Sequence, residues 1–465
     1  MKAWLLAAAL LASPLQAAEA PSAAAIVAAF DRMAALPLWP GFAPLSIPIA
    51  IYDGRETWLV RHPKPPEGFV QRGDFLWTFA GQHPAMRANT STDLGGVSTA
   101  TLLLEARQPG VAQRWASVLI HEAFHVFQRQ HHPTWQANEG DLFVYPVDDA
   151  EQLAGRRLES EALRRALAAP QRPGGACWTA RALEQRRIRF GRLPAGGVAY
   201  ERGTELNEGL AAFVEDLAFG AASGSEIRPE LPAEGYGPGE VRLAAYGTGP
   251  ALARLLDRFD PLWKDKLESG SAASLDELLA VALPLAESAG CAFTREEVAA
   301  VRAKAAEDTA RFVAARKEHR TAFFAQPGLR LVVEAGDQPL WPQGFDPWNV
   351  EPLGGPEVLH RRWIKLGNDR GTLEVLDREA LTEGAGEHPL FNGVRKLTLT
   401  GLPAEPKVSR EGETVNIDGG GLTAALRGAI VEHSPGMVRI TWPQAPAPAA
   451  GAAPPTAPGP RSSTD

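Results

Sequence analysis

Cysteine is scarce in this sequence. The 465 residues include only Cys177 and Cys291, which are far apart and form no CxxC pair. Two cysteines cannot build a disulfide framework, and without a CxxC pair neither a thiolate metal site nor a redox motif is expected. In an oxidising compartment the two residues either form one disulfide or stay as two buried thiols.

A net positive charge and long apolar segments are lacking as well. The formal net charge is -8, so the chain as a whole has no electrostatic attraction to nucleic acid phosphates. Beyond the N-terminus, no stretch of about 20 apolar residues is free of charges and prolines, as a membrane-spanning helix requires. We therefore expect neither a nucleic acid partner nor stable membrane insertion. Hydrophobic residues nevertheless make up 45% of the chain, enough to bury a core in two or three domains.

The N-terminus has the pattern of a secretory signal. Lys2 precedes an apolar run from Ala3 to Ala12, and small residues follow up to Ala18. Such a run is too short to cross a bilayer and is typical of a cleavable signal peptide. We therefore expect residues 1–18 to be removed and the mature protein to be periplasmic or secreted.

The hydrophobic pattern predicts an α+β fold that becomes β-rich towards the C-terminus. Alternating apolar residues predict the strands of a small sheet at 47–52, 57–61, 75–80 and 98–105. Helical patterns follow at 111–130, 148–169, 181–190 and 204–218. Two capping boxes, Ser274 with Glu277 and Thr294 with Glu297, predict later helices, the second ending near Ala325. From Leu329 onwards, short β-like runs alternate with glycine and proline.

These patterns predict two domains and a tail. The first domain spans 19–326, and a β-rich accessory domain spans 327–443. Residues 444–465 are rich in proline and alanine and too poor in large apolar groups to fold.

One motif carries recognisable chemistry. His121, Glu122 and His125 form an HExxH sequence in the middle of the predicted helix at 111–130. Residues four apart lie one turn above each other, so both imidazoles project from one helix face and can share a metal ion. Zinc accepts two such nitrogens, a third protein ligand and a water, and Glu122 is then placed to act as general base and general acid.

Chance is a poor explanation of the motif, because this composition predicts about 0.03 occurrences of HExxH per chain. The alternative is a pair of surface histidines on an amphipathic helix. Trp115, Leu119 and Phe124 surround the motif, however, and indicate a buried helix, where histidines need partners.

The best candidate for the third ligand is Glu208, within the sequence LNEGLAAFVE at 206–215. A carboxylate on a helix rich in small residues can approach the HExxH helix closely, as a shared metal requires. Glu139 is a rival because it also stands in an NEG tripeptide, although the residues after it are not helical in pattern. Glu159 and Glu161, on the next predicted helix, are further rivals.

Together, HEAFH and LNEGLAAFVE resemble the gluzincins, zinc metallopeptidases of the peptidase MA-like superfamily in which a glutamate on a later helix completes HExxH. The resemblance implies a zincin-like catalytic domain, a small sheet plus helices that carry the metal site, with Zn²⁺ bound by His121, His125 and Glu208. The branch is unassigned. Between His125 and Glu208 lie 82 residues, which predicts a helical insertion. Residues 93–97 do not match the GxMEN-type motif of the exopeptidase branch, so aminopeptidase activity is not expected.

Several further residues are candidates for supporting roles. Amide hydrolysis builds a negative oxygen, and Tyr246 resembles the donor that stabilises it in gluzincins, with Tyr236 as the alternative. A core tyrosine with a satisfied hydroxyl is an equally good interpretation of Tyr246. Glu201, Glu205 and Glu215 recur at helical spacing, and they either orient a ligand histidine or form a solvated acidic face. The many arginines between the metal ligands have acids among them, which favours exposed helices with ion pairs over an anion-binding surface.

The sequence therefore predicts an exported zinc metallopeptidase that acts on a peptide or protein, with Glu122 and Tyr246 as catalytic residues. One alternative is a non-catalytic secreted binding protein with the same fold. A second is a zinc hydrolase with a non-peptide substrate, because the same activated water attacks many carbonyls. The sequence leaves the oligomeric state open.

Overall fold

A computed structural model describes residues 21–104, 111–270, 274–283, 290–336 and 338–442. The predicted signal sequence at 1–18 and the predicted tail at 444–465 lie outside these ranges. The described residues form two compact units. The first contains the residues up to Asn138 and Pro146–Thr309, and the second contains Glu139–Tyr145 and the residues from Ala310 onwards. The fold is mixed helix and sheet with a β-rich C-terminal region, as predicted.

The first unit contains one six-stranded sheet with the strand order β3-β4-β2-β1-β6-β5. Strands β1 and β6 are parallel, and the other neighbours are antiparallel. Strands β3 and β5 were not predicted, because β3 is fully exposed and β5 begins with polar residues, so neither shows apolar alternation. The strands are β1 (Ile49–Tyr52), β2 (Glu56–Val60), β3 (Val70–Gly73), β4 (Leu76–Ala80), β5 (Thr90–Leu94) and β6 (Val97–Leu103).

The other regular elements of this unit are helices, the last of which continues into the second unit. The predicted helices at 111–130 and 148–169 agree with α2 and α3 within two residues. Helix α4 begins earlier than predicted, because Pro173 stands in its first turn, where proline needs no helical hydrogen bond. The helices are α1 (Ala23–Ala34), α2 (Ala112–His131), α3 (Ala150–Ala168), α4 (Arg172–Phe190), α5 (Ala195–Thr204), α6 (Leu210–Ser223), α7 (Val241–Phe259), α8 (Trp263–Glu268), α9 (Leu275–Ala282) and α10 (Arg295–Ala325), with a π-helical turn at Glu205–Gly209 and a 3₁₀ turn at Pro44–Ser46.

The two predicted capping boxes have different outcomes. At the start of α10, the Glu297 amide donates to Thr294 Oγ1 (3.1 Å) and the Thr294 amide donates to Glu297 Oε2 (2.7 Å), which is the reciprocal pair expected. At the start of α9, the prediction is wrong in detail. Ser274 occupies the N-cap position, but its side chain makes no capping hydrogen bond. The boundary between the two units falls inside α10.

The core of the first unit encloses the HExxH helix. Phe124 of α2, Phe213 of α6 and Ile51 of β1 belong to one buried cluster, and each is fully buried. Helix α2 contacts α1, α6 and β6. Packing on several sides of a helix restricts the rotamers of its polar side chains, because most alternative rotamers would clash with neighbouring residues.

The second unit is dominated by two sheets with strand orders β18-β19-β7-β14-β13-β10-β9 and β15-β16-β17-β12-β11-β8. Both sheets contribute to one core, in which Val333 of β7 and Ile364 of β11 are fully buried. The unit also contains the 3₁₀ turn Glu139–Val144. The strands are β7 (Leu329–Glu334), β8 (Trp341–Phe345), β9 (Val350–Gly354), β10 (Glu357–His360), β11 (Trp363–Asn368), β12 (Gly371–Leu376), β13 (Ala380–Gly384), β14 (Val394–Leu402), β15 (Lys407–Glu411), β16 (Thr414–Gly419), β17 (Leu422–Arg427), β18 (Ile430–Ser434) and β19 (Met437–Thr441).

Within the ranges that the structure describes, none of the helices combines the length and the apolar character needed to cross a membrane.

Cys177 and Cys291 form a disulfide, which the sequence left open. The bond joins α4 to the segment before α10 and spans 114 residues of sequence. Arg181, one turn after Cys177, donates to the Cys291 carbonyl from Nη2 (2.7 Å) and Nε (3.1 Å).

Replacing both cysteines with alanine is expected to lower the free energy of unfolding by about 2–5 kcal/mol, because the cross-link restricts a long loop in the unfolded chain. Urea denaturation of both proteins, with and without reductant, measures the difference. Reductant should destabilise the wild type and leave the double variant unchanged. Two titratable thiols in unfolded, unreduced wild type would contradict the assignment.

Candidate metal centre

His121 and His125 lie one turn apart on α2 and face the same way. Their Nε2 atoms are 3.0 Å apart, and both rings are largely buried. The apolar residues between them on the other faces of α2 belong to the core, so the helix cannot rotate to expose the pair. The i, i+4 spacing therefore produces the convergence that the sequence predicted.

Glu208 reaches the same point from the π-helical turn between α5 and α6. Its Oε2 lies 3.2 Å from His125 Nε2 and 3.6 Å from His121 Nε2. Among the described residues, these three side chains form the one group whose ligand atoms converge closely enough to hold a metal ion. A π-helical turn inserts one residue into a helix and often marks a functional site, since it redirects the side chains that follow it.

The three distances fit a zinc ion. With zinc–ligand bonds of about 2.0–2.1 Å, a tetrahedral site places its ligand atoms about 3.3 Å apart. The observed separations of 3.0, 3.2 and 3.6 Å bracket that value. Two imidazoles and one carboxylate are also the donor set of many catalytic zinc sites, which keep the fourth position for water or substrate.

The side chain of Gln128 determines which nitrogen of His125 carries the proton. Its Nε2 donates to the carbonyl oxygens of Leu206 (2.9 Å) and Asn207 (3.0 Å), which can only accept. Its Oε1 must therefore face His125 Nδ1, 2.8 Å away, so that Nδ1 bears the hydrogen. The Nε2 of His125 then presents a lone pair towards Glu208 and His121. Gln128 is 1% exposed, so water does not compete for these bonds.

Glu215 has the corresponding position behind His121. Its Oε2 lies 3.1 Å from His121 Nδ1, although the contact is not aligned as a hydrogen bond. A carboxylate at this distance favours the tautomer with the proton on Nδ1, which leaves the lone pair on Nε2. Arg114 lies 3.2 Å from the other carboxylate oxygen of Glu215.

The three ligand atoms therefore need a hydrogen atom or a cation between them. Two imidazole lone pairs 3.0 Å apart repel each other unless a proton or a cation lies between them. Burial lowers the pKa of His121, but the carboxylates of Glu208 and Glu215 outweigh burial and raise it well above the usual value. Burial raises the pKa of Glu208, but hydrogen bonds to His121 and His125 hold it far below its usual range. Both directions have one cause, which is that the carboxylates and the imidazolium groups stabilise each other's charges.

Glu122 is buried beside this group, with 7% of its surface exposed. Burial raises the pKa of its carboxyl, and the nearby charges of His121 and His125 lower it in part. A carboxylate next to the first histidine ligand is thus close to the centre without belonging to the three-residue group.

Two residues of α7 hold the Glu208 carboxylate. Arg242 Nη2 donates to Oε1 (2.6 Å), and the Tyr246 hydroxyl donates to Oε2 (2.6 Å). The Tyr246 ring stacks parallel to the His121 ring, with centroids 6.0 Å apart. Burial and the neighbouring Glu208 charge raise the pKa of Tyr246, so it stays protonated and remains a donor. The predicted Tyr246 therefore lies at the centre.

The other predicted candidates lie elsewhere. The Tyr236 hydroxyl donates to the Glu230 carbonyl (3.0 Å) rather than to Glu208. Among the rival ligands, Glu161 binds Arg164 and Arg165, Glu159 binds Arg186 and Arg189, and Glu139 does not belong to the converging group.

Part of the arginine cluster forms a buried network instead of the exposed ion pairs that were predicted. Arg186 and Arg189 are 2% and 3% exposed. Arg186 makes a two-pronged contact with Glu205 (2.6 and 2.7 Å), and Arg189 makes one with Glu201. Glu159 joins both arginines. Glu205 begins the π-helical turn that carries Glu208, so this network anchors the turn from α4.

Compared with known proteins, the chain matches no protein-family model, no curated protein and no solved structure. The resemblance to gluzincins therefore rests on the motif residues themselves and stays a prediction.

Sequence reasoning missed Gln128 and Arg242 and left Glu215 open. Helical spacing contained a signal for the first two, because Gln128 stands three residues after His125 and Arg242 four residues before Tyr246. Glutamine and arginine on a helix are ordinary residues, however, and only their contacts distinguish these two.

Gln128→Leu is expected to weaken zinc binding by about 10- to 100-fold, because it removes the hydrogen bond that orients His125. Competition with a fluorescent zinc chelator measures the affinity. Gln130→Leu is the matched control, since Gln130 is an exposed residue two positions further along α2. Equal affinity in both variants would contradict the role of Gln128.

Gly209→Ala is expected to destabilise the protein by about 1–3 kcal/mol and to weaken zinc binding. An added methyl group would lie 2.8 Å from Gly249 Cα and 3.0 Å from the Ala245 carbonyl oxygen, so α7 and the π-helical turn must separate. Gly174→Ala in α4 is the control, because its methyl group would meet only an ordinary contact at 3.5 Å. Thermal denaturation of both variants compares them, and an equal effect would refute the close approach.

Proposed function

We propose that this protein is a zinc metallopeptidase of the gluzincin type, whose first unit is a zincin-like catalytic domain. The observation that carries the proposal is the convergence of His121, His125 and Glu208, whose ligand atoms are spaced as they would be around a zinc ion. Glu122 is buried beside them. A purely structural metal site has no need for a buried acid next to its first ligand. The helices α3, α4 and α5 then form the insertion between the metal ligands.

His121, His125 and Glu208 would hold Zn²⁺, which supplies a Lewis acid and lowers the pKa of water when bound. Glu122 accepts the proton of the attacking water and delivers it to the nitrogen of the leaving amine. Tyr246, whose hydroxyl donates to Glu208 Oε2 in this structure, would turn that hydrogen bond to the oxygen that becomes negative as the amide is attacked once Glu208 holds the metal. Gln128 and Glu215 keep the imidazoles in the orientation and tautomer that binding requires.

Export is part of the proposal. The disulfide between Cys177 and Cys291 favours an oxidising compartment, where such bonds persist. This agrees with the secretory signal predicted at 1–18, and the mature protein would act in the periplasm or outside the cell on a peptide or protein.

Glu122→Gln is expected to retain an equimolar amount of zinc and to lower peptide cleavage by about 10²- to 10⁴-fold, because the proton acceptor is lost while the ligands remain. Glu208→Ala should lose both zinc and cleavage. Elemental mass spectrometry measures the metal, and a peptide library with denatured-protein substrates measures the activity. Glu151→Gln, an exposed site on α3, is the control.

Two outcomes would redirect this assignment. Wild-type protein that binds no zinc at equimolar supply would overturn the metal centre. Wild-type protein that binds zinc but cleaves no peptide would favour a non-catalytic binding protein or a hydrolase of non-peptide substrates.

A further inference from the structure

A cavity of about 410 Å³ adjoins the proposed metal centre. Tyr246 and Glu215 line it, and these residues also contact Glu208 and His121 respectively. Its volume is within the range of small-ligand pockets, about 300–1,000 Å³. Part of its wall is apolar and includes Ile227 and Leu243. Through these two side chains the cavity is in contact with two of the residues that would hold the metal ion.

Asp216 contributes a carboxylate to this cavity from α6. It is half-buried, and within the described ranges no side chain or amide forms a hydrogen bond or ion pair with it. Burial, with the neighbouring charge of Glu215, raises the pKa of Asp216 to about 6. Burial destabilises the ionised form of this carboxylate, and a cation that enters the cavity would stabilise that form.

Two arginines near Asp216 are engaged with other groups. Arg114 binds Glu215, at 3.2 Å, and also lies over the ring of Phe219. Arg254, which lowers the pKa of Asp216 in part, donates to the Ile227 carbonyl and lies over the ring of Phe213. The remaining charged residues of the lining, Arg228 and Glu230, are exposed and of opposite sign. Asp216 is thus the half-buried carboxylate of this lining that has no ion-pair partner among the described residues, whereas Glu230 is exposed to water.

We propose that this cavity is a substrate pocket that selects a lysine or arginine side chain next to the scissile bond. This inference rests on the proposed function. Lysine and arginine combine an aliphatic stem, which suits the walls at Ile227 and Leu243, with a cationic end, which pairs with Asp216. A neutral side chain of the same length leaves that carboxylate without a partner.

The test uses peptide pairs that carry either lysine or norleucine on one side of the scissile bond, because norleucine keeps the stem and lacks the ammonium group. The wild type should cleave the lysine peptide with a kcat/KM about tenfold higher or more. Asp216→Asn should remove this preference while norleucine peptides are still cleaved and zinc is retained. Asp265→Asn, at an exposed position on α8, should leave the preference unchanged.

No preference for lysine in the wild type, or a preference that survives Asp216→Asn, would overturn the pocket assignment and leave the proposed function intact. If the wild type cleaves no peptide, the pocket is tested by binding instead of cleavage. Calorimetry on zinc-loaded protein then compares its affinity for N-acetyl-lysine hydroxamate with its affinity for N-acetyl-norleucine hydroxamate. Tighter lysine binding that is lost in Asp216→Asn supports the pocket. Equal affinity, or no binding, refutes it.

Discussion

The hydrogen bonds of Gln128 connect the two halves of the proposed metal centre. Its side chain joins the His125 ring on α2 to the carbonyl oxygens of Leu206 and Asn207 on the π-helical turn. Because carbonyls only accept, this one contact fixes the amide orientation, the histidine tautomer and the direction of the Nε2 lone pair. It also ties the helix with two ligands to the turn with the third, so that the separation of the ligands does not depend on those ligands alone.

Residues from several elements contact the π-helical turn and hold it in place. Arg186 and Glu205 are fully buried ions, and burial of such ions is expensive unless each has complete partners, as here. Gly209 and Gly249 bring the turn and α7 to backbone contact, which permits Arg242 and Tyr246 to reach the Glu208 carboxylate. The site is therefore rigid because a buried ion network, a glycine contact and the Gln128 amide act on the same five residues.

Local patterns predicted much of the fold. Helix α2 has strong apolar periodicity, and both α2 and α3 lie within two residues of their predicted bounds. The capping box of α10 forms as its residues imply. Strands β3 and β5 were missed because their residues are polar or exposed, so pairing with neighbouring strands, rather than their own pattern, makes them strands. The arginines of α4 were misplaced on the surface because charge spacing along one helix does not reveal the acids of other helices.

The sequence by itself determined the chemistry that this chain can carry: HExxH places two imidazoles on one helix face, because residues four apart are one turn apart. It also named Glu208 and Tyr246 as candidates, although each was one of several. Only the tertiary structure shows that Glu208, and not one of its rivals, converges with the two histidines. The approach of segments that are separated by 82 residues depends on packing that no local pattern contains. Tertiary structure also distinguishes four further residues from the many residues of the same types elsewhere in the chain, because only their contacts set them apart. They are Gln128, Arg242, Glu215 and Asp216.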